Sequence, residues 1–250
     1  MENVHVLVLA AGRSTRIKDP VTKMLHKIGE TKILERVLAN IKEAGLTQVT
    51  LVLGHQRDLI LKELSEYPYV VQEELLGTGH AVKCALTKLL GANDDSGSFV
   101  LSGHTLVLFG DKPLLKPQTI REFVEKHLEK GRVLTCSTVV HPTPEHYSEG
   151  YGTVVRVNGK IVALRKIEDT EECDGGMYIF RTDWLFLNIH QLKKHEINGN
   201  GKVEYYLPDL IEIATQSLDI INDYRIQDYK EATGINTPEQ KAEAESYLET

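Results

Sequence analysis

The sequence predicts an α/β fold: a mainly parallel, doubly wound sheet with helices on both faces and an antiparallel flap in its second half. Three observations predict it. Short β-branched apolar runs alternate with amphipathic segments of helical period from residue 4 to residue 140, as strand-crossover-strand units require. The first run, Val4 to Leu9, is apolar nearly throughout, which suits a strand covered on both faces. Beyond residue 150 the pattern changes to a hairpin with Asn158-Gly159 at its turn, a pair favoured where both turn residues need positive φ.

The elements follow in order. After the first strand and a polar loop, Ile33, Leu34, Val37, Leu38, Ile41 and Ala44 recur at helical spacing, and Gly45 supplies a stop. Gln48 to Leu53 reads as a second buried strand, Arg57 to Leu64 as a helix, Tyr69 to Val71 as a short strand and Ala81 to Leu90 as a third helix. Gly91 to Ser98 is a loop by composition, and Phe99 to Leu101 and Leu106 to Phe109 read as strands, the second stopping at Gly110-Asp111. A helix with proline in its first turn covers Pro117 to Lys130, a strand Val133 to Val140 and a loop His141 to Gly150. The hairpin pairs Thr153 to Val157 with Lys160 to Leu164, and Met177 to Phe180 adds a strand. Helices are expected at Asp183 to Lys193, Leu207 to Ala214 and Pro238 to Tyr247.

The 250 residues carry 29 Lys and Arg against 36 Asp and Glu, a formal charge of −7, with 41% hydrophobic residues. That balance argues against coating nucleic acid or an anionic membrane, where a basic surface supplies the affinity. Phosphate chemistry would need a local basic pocket. Cys84, Cys136 and Cys173 are an odd, well-separated set without a Cys-x-x-Cys pair, which suits free thiols in a reducing compartment. With no export-type leader and no apolar run of about 20 residues, a cytoplasmic protein is expected.

Between Gly12 and Lys27 stand Arg13, Arg16, Lys18, Lys23 and Lys27 against the single acid Asp19. This basic loop follows the first strand, so it lies at the carboxyl edge where α/β sheets bind ligands, and the small residues Ala10, Ala11 and Gly12 let backbone N–H groups come close to one. A nucleoside triphosphate fits there. A solvated basic turn would show the same composition. The Walker pattern Gly-x-x-x-x-Gly-Lys-Ser/Thr is not found, and Ala10-x-Gly12-x-x-Thr15 with a second strand ending in Leu53-Gly54-His55 departs from the dinucleotide fingerprint, which disfavours NAD.

Leu9-Ala10-Ala11-Gly12-x-x-Thr15-Arg16 followed by Lys23 resembles the signature of the sugar-phosphate nucleotidyltransferases. Gln72-x-x-x-Leu76-Gly77-Thr78-Gly79-His80-Ala81-Val82, Gly110-Asp111-x-Pro113-Leu114, Tyr151-Gly152, Glu204-Tyr205-Tyr206-Leu207 and Gly234-Ile235-Asn236 occur in the order of one subfamily. That subfamily is the uridyltransferase domain of bacterial bifunctional enzymes that make UDP-N-acetylglucosamine. The resemblance spans Val4 to about Leu248.

It implies a Rossmann-like nucleotidyltransferase fold and a reaction: N-acetylglucosamine 1-phosphate and UTP give UDP-N-acetylglucosamine and pyrophosphate. An anion attacks an anionic phosphate, so the chemistry needs charge screening, in-line positioning and stabilisation of the leaving group. A hard divalent cation, Mg2+, meets the first need; the resemblance places Asp111 and Asn236 as its ligands. It sets Arg16 toward the β- and γ-phosphates and Lys23 near the α-phosphate, a forked guanidinium for the leaving group and a point charge for phosphorus. Leu9, Ala10, Ala11 and Gly12 would approach the nucleotide. Gln72 would pair with the uracil edge through amide donor and acceptor, with Gly77 and Thr78 against the base. Phe109, Gly110, Gly152, Lys166, Glu168 and Asp174 fall in its sugar subsite. His80 is expected to make a structural hydrogen bond at a helix start.

The chain also departs from the family. Ser14 stands for the second loop glycine, Val21-Thr22 precede Lys23 where a proline is usual, Lys166 and Glu168 carry signs opposite to the usual pair, and Asp174 stands for an asparagine. A sugar with another C2 substituent would account for the last two. The expected organisation is a single domain, residues 1–140 binding nucleotide and 141–250 forming the sugar half and closing helix, without the family's hexapeptide-repeat acetyltransferase. Monomer or weak oligomer is therefore expected. Two other readings stay open: a nucleotidyltransferase using CTP or GTP or another sugar phosphate, and a nucleotide-sugar-binding regulator without turnover. Neither involves nucleic acid or a membrane.

Overall fold

The computed structural model describes residues 3–14, 16–17, 19–91, 102–142, 152–165, 171–197, 201–219 and 221–248. The strands are β1 (Val4–Ala10), β2 (Lys27–Ile28), β3 (Thr31–Lys32), β4 (Val49–Leu53), β5 (Tyr69–Val71), β6 (His104–Phe109), β7 (Leu134–Val140), β8 (Thr153–Val157), β9 (Lys160–Arg165), β10 (Glu172–Arg181), β11 (His195–Ile197), β12 (Lys202–Glu204) and β13 (Ile221–Ile226). The helices are α1 (Ile33–Glu43), α2 (Arg57–Leu61), α3 (Gly77–Gly91), α4 (Pro117–Lys130), α5 (Thr182–Asn188), α6 (Asp209–Gln216) and α7 (Pro238–Ser246).

Seven strands run in the order β13-β7-β10-β6-β1-β4-β5, and the β8-β9 hairpin joins through β10. β1 lies parallel to β4 and β6, β4 to β5 and β13 to β7, while β10 is antiparallel to both its neighbours. The mixed, mostly parallel sheet with an antiparallel flap is the expected architecture. Its double winding is written in β1: Val4, Val6, Val8 and Ala10 pack with α1 and α4 residues such as Leu34 and Phe123, whereas Leu7 and Leu9 pack with Val82 of α3, Trp184 of α5 and Ile211 of α6. A strand whose successive side chains point to opposite faces needs apolar residues at every position when both faces are covered.

The flap is fastened by charge. Arg156 donates twice to Glu172, at 2.8 and 2.7 Å, and once to Asp223 at 2.7 Å, tying β8 to β10 and β13. Those bonds hold the Glu172 carboxyl down at about 2.

Several elements differ from expectation. α3 begins at Gly77, four residues early, because tertiary bonds compensate two glycines in its first turn. The helix expected from Asp183 to Lys193 ends at Asn188 and gives way to a 3-10 turn. β13 and the β11-β12 ribbon were not foreseen; the polar run Asn222-Asp223 masks the first, and the ribbon strands have only three residues each. The strand expected at Phe99 to Leu101, and most of the Gly91–Ser98 and His141–Gly150 loops, lie outside the described residues. All three cysteines are free thiols. Among the described residues no helix is long and apolar enough to cross a membrane.

Candidate active site

β1 ends at Ala10 and releases the chain at the carboxyl edge of the sheet, where β6 ends one strand away: the Gly110 N–H donates to Leu9 O at 2.9 Å. Beyond that edge lies a cavity of about 830 Å³, within the size range of small-molecule sites. Its walls come from the loop after β1, the turn at Lys23, the Gln72–Thr78 segment, the end of β6, the β11-β12 ribbon and Asn236.

Of the residues singled out in the sequence, Leu9, Ala11, Gly12, Arg16, Lys23, Gln72, Gly77, Thr78, Phe109, Asp111 and Asn236 line this cavity. Ala10, Gly110, Gly152 and Asp174 do not. Ala10 is buried under the loop, and a Cβ at Gly110 would lie 3.2 Å from Leu9 O, so these two support the wall from behind. Gly152 faces Leu164 of the flap. Lys166 and Glu168, like Thr15 and Tyr151 of the motifs, lie outside the described residues. The lining also holds Arg13, Lys202, Glu204 and Tyr206, to which sequence reasoning assigned no role. Arg13 was legible as part of the basic loop; Glu204 and Tyr206 were quoted in a motif and Lys202 in none, and nothing local marked the three as a wall. Among the described residues, four lining cations, Arg13, Arg16, Lys23 and Lys202, face two carboxylates, Asp111 and Glu204. The basic pocket required of an acidic chain is therefore present.

At the floor, three residues from distant parts of the chain converge. The buried Lys23 ammonium donates to Asp111 Oδ2 at 2.5 Å and to Asn236 Oδ1 at 2.7 Å. Lys23 is placed by a 3-10 turn and by its backbone N–H, which donates to Ser14 Oγ at 3.2 Å. Asp111 follows β6 directly, and its carbonyl accepts from Ile235 N–H at 2.9 Å, which sets Asn236 opposite it. The Asn236 N–H donates to Gln240 Oε1 at 2.8 Å, and Thr237 caps α7 with Pro238 at its first turn. Burial raises the Asp111 carboxyl, but Lys23, by charge and hydrogen bond, outweighs it and holds the group ionised below the usual carboxylate range.

Ser14 occupies the left-handed region at φ 54°, the conformation a glycine adopts without cost. At this position Ser14 takes up a backbone that favours glycine, and its hydroxyl accepts the bond from Lys23 N–H.

Gln72 is buried, and its Nε2 donates to Gly77 O at 3.0 Å and to His80 Nδ1 at 3.1 Å. With both amide hydrogens committed, Oε1 is what this side chain still offers, an acceptor rather than the donor-acceptor pair expected. His80 has the structural bond foreseen for it.

Behind the floor, the buried Lys112 ammonium donates to Ala232 O at 2.7 Å and Gly175 O at 3.2 Å. Burial lowers its affinity for a proton, and Asp174 and Asp111 act against that. Asp174 accepts from Gly176 N–H at 2.7 Å, and burial raises its carboxyl. The departure at Asp174 therefore has an oppositely charged neighbour.

Residues 6–172 match the family described as the MobA-like NTP transferase domain. Bifunctional protein GlmU of Geotalea uraniireducens (strain Rf4) is 34% identical over 259 aligned residues, covering 99% of this chain and 53% of that protein. GlmU of Clostridium perfringens is 33% identical over 256 residues, 98% of this chain and 52% of its own length. The chain thus spans about half the length of the curated relatives it matches. Among solved structures, a Bacillus anthracis protein assigned as a glucose-1-phosphate thymidylyltransferase, in complex with a sucrose, superposes with a TM-score of 0.69 at 19% identity, covering 98% of this chain and 94% of that one. A CMP:2-keto-3-deoxy-manno-octonic acid synthetase complexed with CTP gives 0.68 at 13% identity, covering 99% and 98%. These two likenesses concern the fold.

Proposed function

The chain belongs to the family of MobA-like NTP transferase domains and is a nucleotidyltransferase; from that premise we propose that it transfers a uridylyl group from UTP to a sugar 1-phosphate, N-acetylglucosamine 1-phosphate first among them. The observation that carries this reading is the convergence of Lys23, Asp111 and Asn236 at the floor of a basic cavity beyond the carboxyl edge of the sheet.

In this reading the triphosphate lies along the loop from Ala11 to Arg16, with Arg16 toward its β- and γ-phosphates and Lys23 toward its α-phosphate. Gln72 offers Oε1 to the N3–H of uracil, and the backbone at Gly77 and Thr78 packs against the base. Asp111 and Asn236 present two hard oxygens that already hold a cation, the ammonium of Lys23, so the donor set fits a divalent ion, Mg2+ in this reading. Such an ion supplies charge that screens the two phosphates from each other. An oxygen of the sugar phosphate attacks the α-phosphorus, the bond to the bridging oxygen breaks, and pyrophosphate leaves against Arg16. The nucleophile is already an anion, so no side chain need take its proton.

A panel of nucleoside triphosphates against sugar 1-phosphates tests this, read by pyrophosphate release. Release is expected only with UTP, a sugar 1-phosphate and a divalent cation together; turnover of CTP or GTP instead would overturn the base assignment. Asp111→Asn is expected to lose about 100-fold or more in kcat while melting as a folded protein, and near-normal rates would remove Asp111 from the site.

A further inference from the structure

We propose that Lys23 is a built-in placeholder for the reaction's divalent cation: its ammonium holds the point on which Asp111 and Asn236 converge, and must leave that point before a metal can be bound there. The inference rests on the reading of Asp111 and Asn236 as metal ligands.

The geometry is specific. The Lys23 Nζ lies 2.5 Å from Asp111 Oδ2 and 2.7 Å from Asn236 Oδ1, while a hard divalent ion sits about 2.0 to 2.6 Å from oxygens of the same kind. One point therefore serves either cation, and two positive centres cannot share it. Lys23 is only 6% exposed, so water does not screen the contact. Its backbone is fixed by the 3-10 turn and the bond to Ser14 Oγ, which leaves the flexible four-carbon stem to move the charge. The neighbouring Lys112 cannot take over, because its ammonium is bound to Ala232 O and Gly175 O.

A nucleotide changes this balance. Its α-phosphate gives the ammonium a new partner within the cavity, and movement of Lys23 toward it frees both oxygens. Metal and nucleotide should then help each other bind, each raising the other's affinity by the same factor. Without nucleotide, the metal must displace a buried ion pair and should bind weakly. Lys23 would thereby keep Asp111 ionised and ready while discouraging idle metal binding.

The test is Mn2+ titration of the full chain without nucleotide, following free Mn2+ by electron paramagnetic resonance. Lys23→Met is expected to bind Mn2+ roughly tenfold or more tighter than wild type, because it leaves Asp111 without its counter-charge. Arg16→Gln removes the same charge from the cavity lining without opening the convergent point, and should stay within about threefold of wild type. Adding Asp111→Asn to Lys23→Met should abolish the gain. Lys23→Met binding no tighter than wild type, or Arg16→Gln gaining as much, would overturn the placeholder. If Asp111→Asn alone abolishes metal-dependent turnover, that failure leaves the metal-ligand reading standing. Tight binding that survives Asp111→Asn would instead remove the ligand assignment and the placeholder together. Lys23→Gln, which keeps a polar end in the buried site, serves if the methionine variant does not fold.

Discussion

Among the described residues, and its chain neighbours aside, a methyl group added at Gly12 would meet no atom within 4 Å, whereas one added at Gly77 would lie 2.7 Å from Tyr205 O. Both glycines line the cavity, yet for different reasons: Gly77, at φ 88°, is required by the fold, and Gly12 is required only if something approaches from the open side. Gly12→Ala is therefore expected to leave stability within about 0.5 kcal/mol of wild type or slightly above it, yet to weaken UTP binding by roughly tenfold or more, since backbone approach to a phosphate is blocked by a Cβ. Calorimetric titration with UTP beside a thermal melt checks both halves; unchanged affinity would place the triphosphate elsewhere. The basic loop could be read from residue types alone because all its charges are contiguous. That Lys23 leaves this group and turns onto Asp111, 88 positions away, could not.

At the scale of elements, two motifs far apart in sequence prove to be one device. Tyr205 N–H donates to Leu76 O at 2.8 Å, Gly79 N–H to Tyr205 O at 2.8 Å and Leu207 N–H to Thr78 Oγ1 at 3.0 Å. Leu76 to Gly79 and Tyr205 to Leu207 are thus laced together, and the start of α3 gains a partner for an N–H that no helical carbonyl could satisfy. This explains why α3 begins at Gly77 although glycines disfavour helix, and why the sequence pattern suggested a later start. Gly77→Ala would force a β-carbon into the left-handed region and against Tyr205, a loss of about 2 to 4 kcal/mol. Urea denaturation measures it; a loss below about 0.5 kcal/mol would mean that the lacing yields easily. Elements buried on both faces, such as β1 and β4, were legible because their whole length is apolar. β13 was not, since only Ile226 among its six residues is fully buried and its place is set by pairing with β7.

For the whole molecule, the histidines at the amino edge of the sheet, opposite the cavity, link stability to pH. His104 Nδ1 and His127 Nε2 lie 2.9 Å apart, and His127 Nδ1 bonds to Thr135 Oγ1 at 2.8 Å. Burial, with His104 beside it, holds His127 down at about 3, and burial holds His5 at about 4. Both are neutral when folded and bind a proton near the ordinary value when unfolded, so the unfolded chain takes up more protons below about pH 6.5 and stability falls as pH drops. His127 alone should cost about 2 kcal/mol between about pH 7 and about pH 5. Urea midpoints across that range, compared with His127→Gln, check it: the variant should show a shallower pH dependence, and an equal slope would acquit His127.

The sequence by itself determined the alternation of strands and helices, the hairpin at Asn158-Gly159, the basic loop on an acidic chain and the identity of Lys23, Asp111 and Asn236 as residues to watch. The first three are properties of contiguous residues, set by side-chain period, turn conformation and local charge; Lys23, Asp111 and Asn236 were singled out by their resemblance to the nucleotidyltransferase motifs. Only the tertiary structure decided that Lys23 lies on Asp111 and Asn236, that Lys112 stands beside Asp174, that Gln72 has spent its donors, and that the β11-β12 ribbon walls the cavity. Those contacts depend on strand order in the sheet, which brings together side chains as far as 213 positions apart. No local pattern records that order, because it is selected by burial of both sheet faces at once.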